Sequence, residues 1–266
     1  MTGPAIARAV VAGHDAIARA LVDLDDDALR APSLLPEWSR LTVLCHLRYG
    51  ARAIDRMVRA AVNAEPALFY PEGRAQQRPG TLVPNAGESP RDVVASFVVD
   101  SAALDATLAS LSDDDWAREL HEPEGAVDIG TQTVEQLAAL RLTEVEVHGG
   151  DLLLGNDTWS DTFVEHGLPL RFERLAHRLA NQPPIDFGLE GTWLLRTLDG
   201  EAWAITLAPD RAEVRAADYD TSSDATITAS RRDMLAFLLG RPLETEVVYA
   251  GDVELAAAFR KVFPGP

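Results

Sequence analysis

Along the first two thirds of the chain, apolar residues recur at three- and four-residue steps, the period of amphipathic helices. Four long segments carry this pattern. The first runs from about Pro4 to Leu29, with Ile6, Val10, Ile17 and Leu21 on one stripe and Gly13 as a small position between them. The second begins near Leu41, after the turn-rich LLPEWSR, and lines up Leu44, Leu47, Ala51, Ile54, Val58 and Ala61. Ser89-Pro90-Arg91-Asp92 announces the third, with Ser at the N-cap and Pro at the first helical position, and this helix extends to about Leu111. The fourth runs from about Thr133 to Leu154. Between the second and third, the pattern lapses over PEGRAQQRPGTLVPNAGESP, residues 71–90, a stretch long enough to be a functional loop. Four helices in this order predict an antiparallel bundle, in which sites are built from side chains projecting inward from facing helices.

After Asn181-Gln182-Pro183-Pro184 the period shortens to that of strands. GTWLLRTL, EAWAITLA and RAEVRAA read as short strands, with Leu198-Asp199-Gly200-Glu201 and Pro209-Asp210 as turns between them. ATITAS is a further strand, RRDMLAFLLG a helix ending at Gly240, ETEVVYAG a strand and VELAAAFRKVF a last helix. The segment WSDTFVEHGLPLRFERLAHRLAN, residues 159–181, reads as a bridging helix. The expected fold class is therefore α+β. A four-helix bundle spans residues 1–158, a bridging helix and linker residues 159–184, and a smaller α+β domain residues 185–266.

Charge narrows the partners. The 42 Asp and Glu against 24 Lys and Arg would repel a phosphate backbone, and no compact basic cluster offsets them, so nucleic acid is excluded as a partner. No run of about 18 apolar residues and no basic, apolar leader occurs, which predicts a cytoplasmic protein with no membrane segment. A single cysteine, Cys45, allows no internal disulfide and agrees with a reducing compartment.

The chemistry concentrates in ALRLTEVEVHGGDLLLG, residues 139–155. Glu144 and His148 are four apart, so on a helix they point from one face with Cβ atoms about 5 to 6 Å apart. Leu137, Leu140 and Val145 lie beside that face, which brings both polar groups toward the bundle interior, where they are costly unless paired or metal-bound. His46, in TVLCHLRYGA, sits at the edge of the second helix's stripe. One Glu and two His from two helices make a three-ligand set with open positions, suited to zinc or to non-haem iron. The same spacing also serves a helix-surface pair or a satisfied core hydrogen bond, with Arg141 neutralising Glu144. Glu146 falls about 200° from Glu144 and reads as solvated. Gly149-Gly150 weaken the helix, through either a bend or a close approach by a neighbour. Cys45 points about 100° from His46 and reads as packing, as do Trp38 at the helix entrance and Tyr49 one turn on.

Three stretches carry a family resemblance. LPEWSRLTVLCHL resembles the tryptophan-containing turn and the helix with an inward histidine of the mycothiol-dependent maleylpyruvate isomerase family, part of the DinB-like metal-binding four-helix-bundle superfamily. RLTEVEVHGGDLLLG resembles that family's later Arg, Glu, His and Asp-Leu helix, and the tail from SDATITASRRDMLAFLLGRP to VVYAGDVELAAAF is similar to its sterol-carrier-like C-terminal domain. The resemblance implies that His46, Glu144 and His148 bind Zn2+, that Asp151 orients His148 through its second ring nitrogen, and that Arg241 reaches a substrate carboxylate. Arg231 and Arg232 are weaker candidates for that last role.

The implied function is a mycothiol-dependent S-transferase or isomerase, in which a zinc-bound thiolate attacks a small-molecule electrophile. Its partners would be that electrophile and the low-molecular-weight thiol, with the chain a monomer or homodimer. Two alternatives stand beside it. One is a non-catalytic small-ligand-binding protein using the sterol-carrier-like domain, which predicts His46 distant from Glu144 and His148. The other is a zinc hydrolase using metal-bound water.

Overall fold

The structure is a computed structural model that describes residues 2–123, 129–155, 159–181, 189–209 and 211–263. It divides into two compact units, Met1–Phe163 and Val164–Pro266.

In the first unit, the long helices are α1 (Gly3–Leu21), α3 (Arg40–Val62), α5 (Pro90–Ala109) and α6 (Val134–Asp151). They pack in the ring α1, α5, α3, α6, so that α3 and α6 are neighbours. The expected first helix is interrupted. It stops at Leu21, and a short α2 (Asp26–Arg30) follows, because Asp25 turns its carboxylate onto Ala28 N at 2.8 Å and caps a new helix. Acidic side chains that bond nearby backbone favour caps over helix interiors, and Asp23 to Asp27 supply four of them. Leu29 of α2 is nevertheless fully buried in the core with Leu21, Leu44 and Phe97. The Ser89 and Asp92 capping box starts α5 as its sequence predicts, and Thr133 and Gln136 form a second one on α6. Gly13 answers to packing. A Cβ there would collide with Val145 Cγ1, so glycine lets α1 approach α6 closely at that level.

The 71–90 stretch is more ordered than a bare loop. It contains α4 (Arg74–Thr81) and is tied down at both ends. Tyr49 Oη donates to Phe69 O at 2.6 Å, and Arg48 Nη1 donates to Glu88 Oε1 at 2.6 Å. A short antiparallel pair, β1 (Glu119–Leu120) and β2 (Gln132–Thr133), adjoins the start of α6; two-residue strands leave no alternation to read in sequence.

The second unit begins within the first turn of α7 (Asp161–Asn181). Its sheet has the order β5 (Arg211–Ala216), β4 (Ala202–Ala208), β3 (Gly191–Thr197), β6 (Ala225–Ala229), β7 (Val248–Gly251), with only β3 and β6 parallel. Register puts Trp193, Leu195, Trp203, Ile205 and Ile227 on one face. There Phe172 of α7 stacks on Trp203 at 4.3 Å, and Trp193 meets Phe259 of α9 (Val253–Val262). Helix α8 (Arg231–Leu239) ends at Gly240, which takes the left-handed conformation (φ 69°). Strand β7 is shorter than ETEVVYAG suggests, because the 244–245 backbone is used elsewhere: Glu244 N and Thr245 N donate to Asp233 Oδ1 at 2.7 and 3.3 Å. No helix among the described residues is long and apolar enough to cross a membrane.

Candidate metal centre

The site begins with the turn before α3. Ser33 Oγ donates to Trp38 O at 2.9 Å, Ser33 N donates to the same carbonyl at 2.9 Å, and Leu35 N donates to Ser33 Oγ at 3.1 Å. Ser39 then caps α3 by accepting from Thr42 N at 3.1 Å. Arg40 fastens this corner to the end of α6, donating to Leu152 O at 2.8 Å and, on its other side, to Ala28 O at 3.1 Å. Leu34 N donates to Asp151 O at 2.9 Å. Helix C-termini leave carbonyls without intrahelical partners, and here the chain entering α3 supplies the donors. The N-terminal part of α3 is thereby held against the C-terminal part of α6.

His46, Glu144 and His148 meet at that junction, each offering a ligand atom, with all three atoms within 4.8 Å of one another. Glu144 Oε2 lies 2.5 Å from His46 Nε2 and 3.5 Å from His148 Nε2. The imidazole centroids are 4.9 Å apart and nearly perpendicular, and Trp38 stands edge-on to His46 at 5.9 Å. His148 Nδ1 lies 2.8 Å from Asp151 Oδ2, and Asp151 has no exposed surface. A carboxylate accepts, so a proton is fixed on Nδ1, and Nε2 is the nitrogen that faces Glu144 and becomes a donor to a metal once it gives up its own proton. Burial pulls the His148 imidazolium down, but hydrogen bonds to Asp151 and Glu144 outweigh it and raise the group to about 9. Burial pushes Glu144 up, yet the charge of His46 and the bonds from both histidines hold it well below the usual carboxylate range. Two imidazoles and an ionised carboxylate are ligand types that a divalent ion takes once the histidines are neutral.

The donor set fits a divalent ion. Donors of a tetrahedral zinc, at bonds of about 2.0 to 2.1 Å, stand roughly 3.3 Å apart. The 3.5 Å between Glu144 and His148 is close to that value, the 2.5 Å between Glu144 and His46 is that of a hydrogen bond, and all three ligand atoms lie within 4.8 Å.

The other sequence candidates have different surroundings. Arg141 does not bond Glu144: it is fully buried, and its Nε donates to His14 Nε2 at 2.9 Å. Glu146 is half-buried and engaged, accepting from Ser160 N at 3.1 Å and from Ser160 Oγ and so tying down the start of α7. Helix α6 runs unbroken through Gly149 and Gly150 to Asp151, and a Cβ at Gly149 would make only ordinary contact, at 3.7 Å, with Ile17. Cys45 is buried, and Tyr49 stacks on Tyr70 with centroids 5.3 Å apart. Arg231 pairs with Asp199 at 3.0 Å and Glu201 at 2.6 Å, while Arg232 lies 3.8 Å from Glu244. Arg241 follows Gly240 in the second unit and donates from Nη1 to Leu239 O at 2.8 Å. His14 and Arg40 escaped the sequence reading. His14 sits on the apolar stripe of α1 and Arg40 at a helix start, so neither spacing nor period marked them.

Comparison with known proteins bears on the same helices. The model of the mycothiol maleylpyruvate isomerase N-terminal domain matches residues 10–153, a span that includes His46, Glu144, His148 and Asp151. Among solved structures, a mycothiol-dependent maleylpyruvate isomerase is similar over 94% of this chain and 93% of its own, at 19% identity and a TM-score of 0.63. A histidine-to-alanine mutant of a mycothiol-dependent maleylpyruvate isomerase matches over the same shares at 19% identity, with a TM-score of 0.65. At that identity the likeness speaks for the fold. A search of curated proteins gives no match. With more than half its length matched by the family model, the chain belongs to the mycothiol maleylpyruvate isomerase N-terminal domain family.

Proposed function

We propose that this protein is a mycothiol-dependent enzyme of the isomerase or S-transferase class that holds a divalent ion, zinc by its donor set, on His46, Glu144 and His148. The observation that carries this reading is the convergence of those three side chains from α3 and α6 within 4.8 Å. The family's name supplies the thiol.

A zinc ion bound there would favour the thiolate form of a thiol by lowering its pKa. Around it, the chain's residues orient and exclude. Asp151 keeps the His148 proton on Nδ1, and Trp38 shields one edge of His46. The side chains of His46 and His148 keep 17% and 15% of their surface exposed and Glu144 keeps 29%, which leaves an approach for small molecules. In the isomerase form, the thiolate adds to a conjugated double bond whose π pair moves toward a carbonyl, the new single bond rotates, and the sulfur–carbon bond breaks again. In the transferase form, the sulfur stays and a leaving group departs with its electron pair. Arg241 is proposed to bind a substrate carboxylate through its guanidinium fork.

The non-catalytic alternative predicts His46 far from Glu144 and His148; their 2.5 and 4.9 Å approaches weigh against it. The test is metal analysis of purified protein, followed by turnover assays with mycothiol and maleylpyruvate or another electrophile. About one tightly bound divalent ion per chain is expected, lost in His148→Ala. Full occupancy in that variant would overturn the site. Metal present, but with no binding of mycothiol and no effect of it on turnover, would overturn the thiol half; thiol-independent hydrolysis would favour metal-bound water instead.

A further inference from the structure

One turn of α6 before Glu144, the bundle contains a second buried polar layer. Arg141 Nε donates to His14 Nε2 at 2.9 Å, and Arg141 Nη1 donates to Leu47 O at 2.9 Å. A guanidinium only donates, so His14 Nε2 must accept. The His14 proton is therefore on Nδ1, which donates to Asp105 Oδ1 at 2.8 Å. Arg141 on α6, His14 on α1, Asp105 on α5 and the Leu47 carbonyl on α3 thus join all four long helices.

This layer is costly as packing. Arg141 and His14 are 0% and 3% exposed, and Arg141 Nη2 is buried with no hydrogen-bond partner among the described residues. Burying an ion is costly, and an apolar side chain of similar volume often stabilises a core as well or better. Room is also kept for the guanidinium, since a Cβ at Gly50 would lie 3.1 Å from Arg141 Nη1. What the arrangement gains is placement. Leu47 is the residue after His46, and Arg141 is three residues before Glu144, so one side chain ties together the two helices that carry the candidate ligands. Asp105 and Glu144 supply the negative charge that offsets the guanidinium.

We propose that Arg141, oriented by His14 and Asp105, is a positioning residue for the metal centre, fixing α3 against α6 so that His46 meets Glu144 and His148. This rests on the reading that those three residues hold a divalent ion.

The test uses the full chain and two metal readouts: zinc affinity by chelator competition and the visible absorption spectrum of the cobalt(II) form. Arg141→Met and His14→Leu are expected to weaken zinc binding about tenfold or more, the scale seen for partners that orient ligands, and to alter the cobalt spectrum. His14→Gln can accept from Arg141 and donate to Asp105, so its affinity and spectrum should stay close to those of the unsubstituted protein. If Arg141→Met does not fold, the His14 pair decides. Lower thermal stability with unchanged zinc affinity and cobalt spectrum in the Met or Leu variants would overturn the inference, as would a Gln variant as impaired as the Leu one. An unsubstituted chain that binds neither metal would instead overturn the underlying reading, and the inference with it.

Discussion

His148 Nδ1 lies 2.8 Å from Asp151 Oδ2 across one turn of α6, with the aspartate fully buried and its backbone carbonyl accepting from Leu34 N at 2.9 Å. The carboxylate can only accept, so it selects the tautomer that leaves Nε2 free for a ligand bond. Asp151→Asn keeps the shape but removes the charge and offers Nδ1 a donor as readily as an acceptor. Metal affinity is expected to fall about 10- to 100-fold, while circular dichroism stays unchanged. Affinity within twofold of the original, measured by chelator competition, would count against the tautomer argument.

Cys45 adjoins His46 in sequence yet belongs to the core. Burial pushes its thiol up to about 11, with Glu88 adding to the shift and the nearby Arg48 charge opposing it. At pH 8 the thiolate fraction is then about a hundredfold below that of an ordinary thiol near 9. A thiol-specific chromogenic reagent should leave the native protein unlabelled over minutes and titrate one group after denaturation. Cys45→Ala should retain both metal and turnover; a loss of turnover with metal intact would make this thiol part of the chemistry.

The sequence revealed much of the bundle because its signals are local. Ser89-Pro90-Arg91-Asp92 starts α5, and the four-residue step from Glu144 to His148 is a helical property of one segment. What stayed hidden depends on tertiary partners. Arg40 bonds carbonyls more than a hundred residues away, and His14 lies on an apolar stripe where only the fold reveals Arg141 and Asp105. Asp25 shows the opposite failure. Its capping signal is local, but the apolar positions on either side, Leu21 and Leu29, are both buried in one core and masked the break between α1 and α2.

The segment carrying α4 is held by Arg48, which is 4% exposed and donates to Glu88 at 2.6 Å and to Ser96 Oγ at 3.1 Å. Glu88 also accepts from Asn85 N at 2.7 Å, so one carboxylate joins the segment's end to α3. Glu88→Gln leaves the buried guanidinium without its counter-charge and is expected to cost about 1 to 3 kcal/mol in urea unfolding. Trypsin should then cut several-fold faster after Arg74, which is exposed on α4. Unchanged cleavage with lowered global stability would show that the segment is held chiefly by the Tyr49 and Arg56 bonds to the 68–69 carbonyls.

His14 should leave a mark on stability against pH. Burial lowers its pKa below 6.5, and the adjacent Arg141 charge lowers it further, against the opposing pull of Asp105. The unfolded chain protonates this imidazole as pH falls through about 6.5, while the folded chain, which needs Nε2 as an acceptor for Arg141, does not. The unfolded state then binds the extra proton, so His14's contribution is fully present above about pH 6.5 and is lost as pH falls toward the folded value. The slope from one such group is at most about 1.4 kcal/mol per pH unit. His148 works in the other direction: raised to about 9, it contributes stability below 6.5 that is lost as pH rises through 9. Comparing the metal-free protein with His14→Gln cancels that term and those of other groups common to both. The difference between their unfolding free energies should be flat from pH 7 to 8 and should narrow or reverse in favour of the Gln variant from pH 6.5 downward. Parallel curves across the whole range would mean that His14 accepts its proton without losing Arg141, and the tautomer assigned to the buried layer would be wrong.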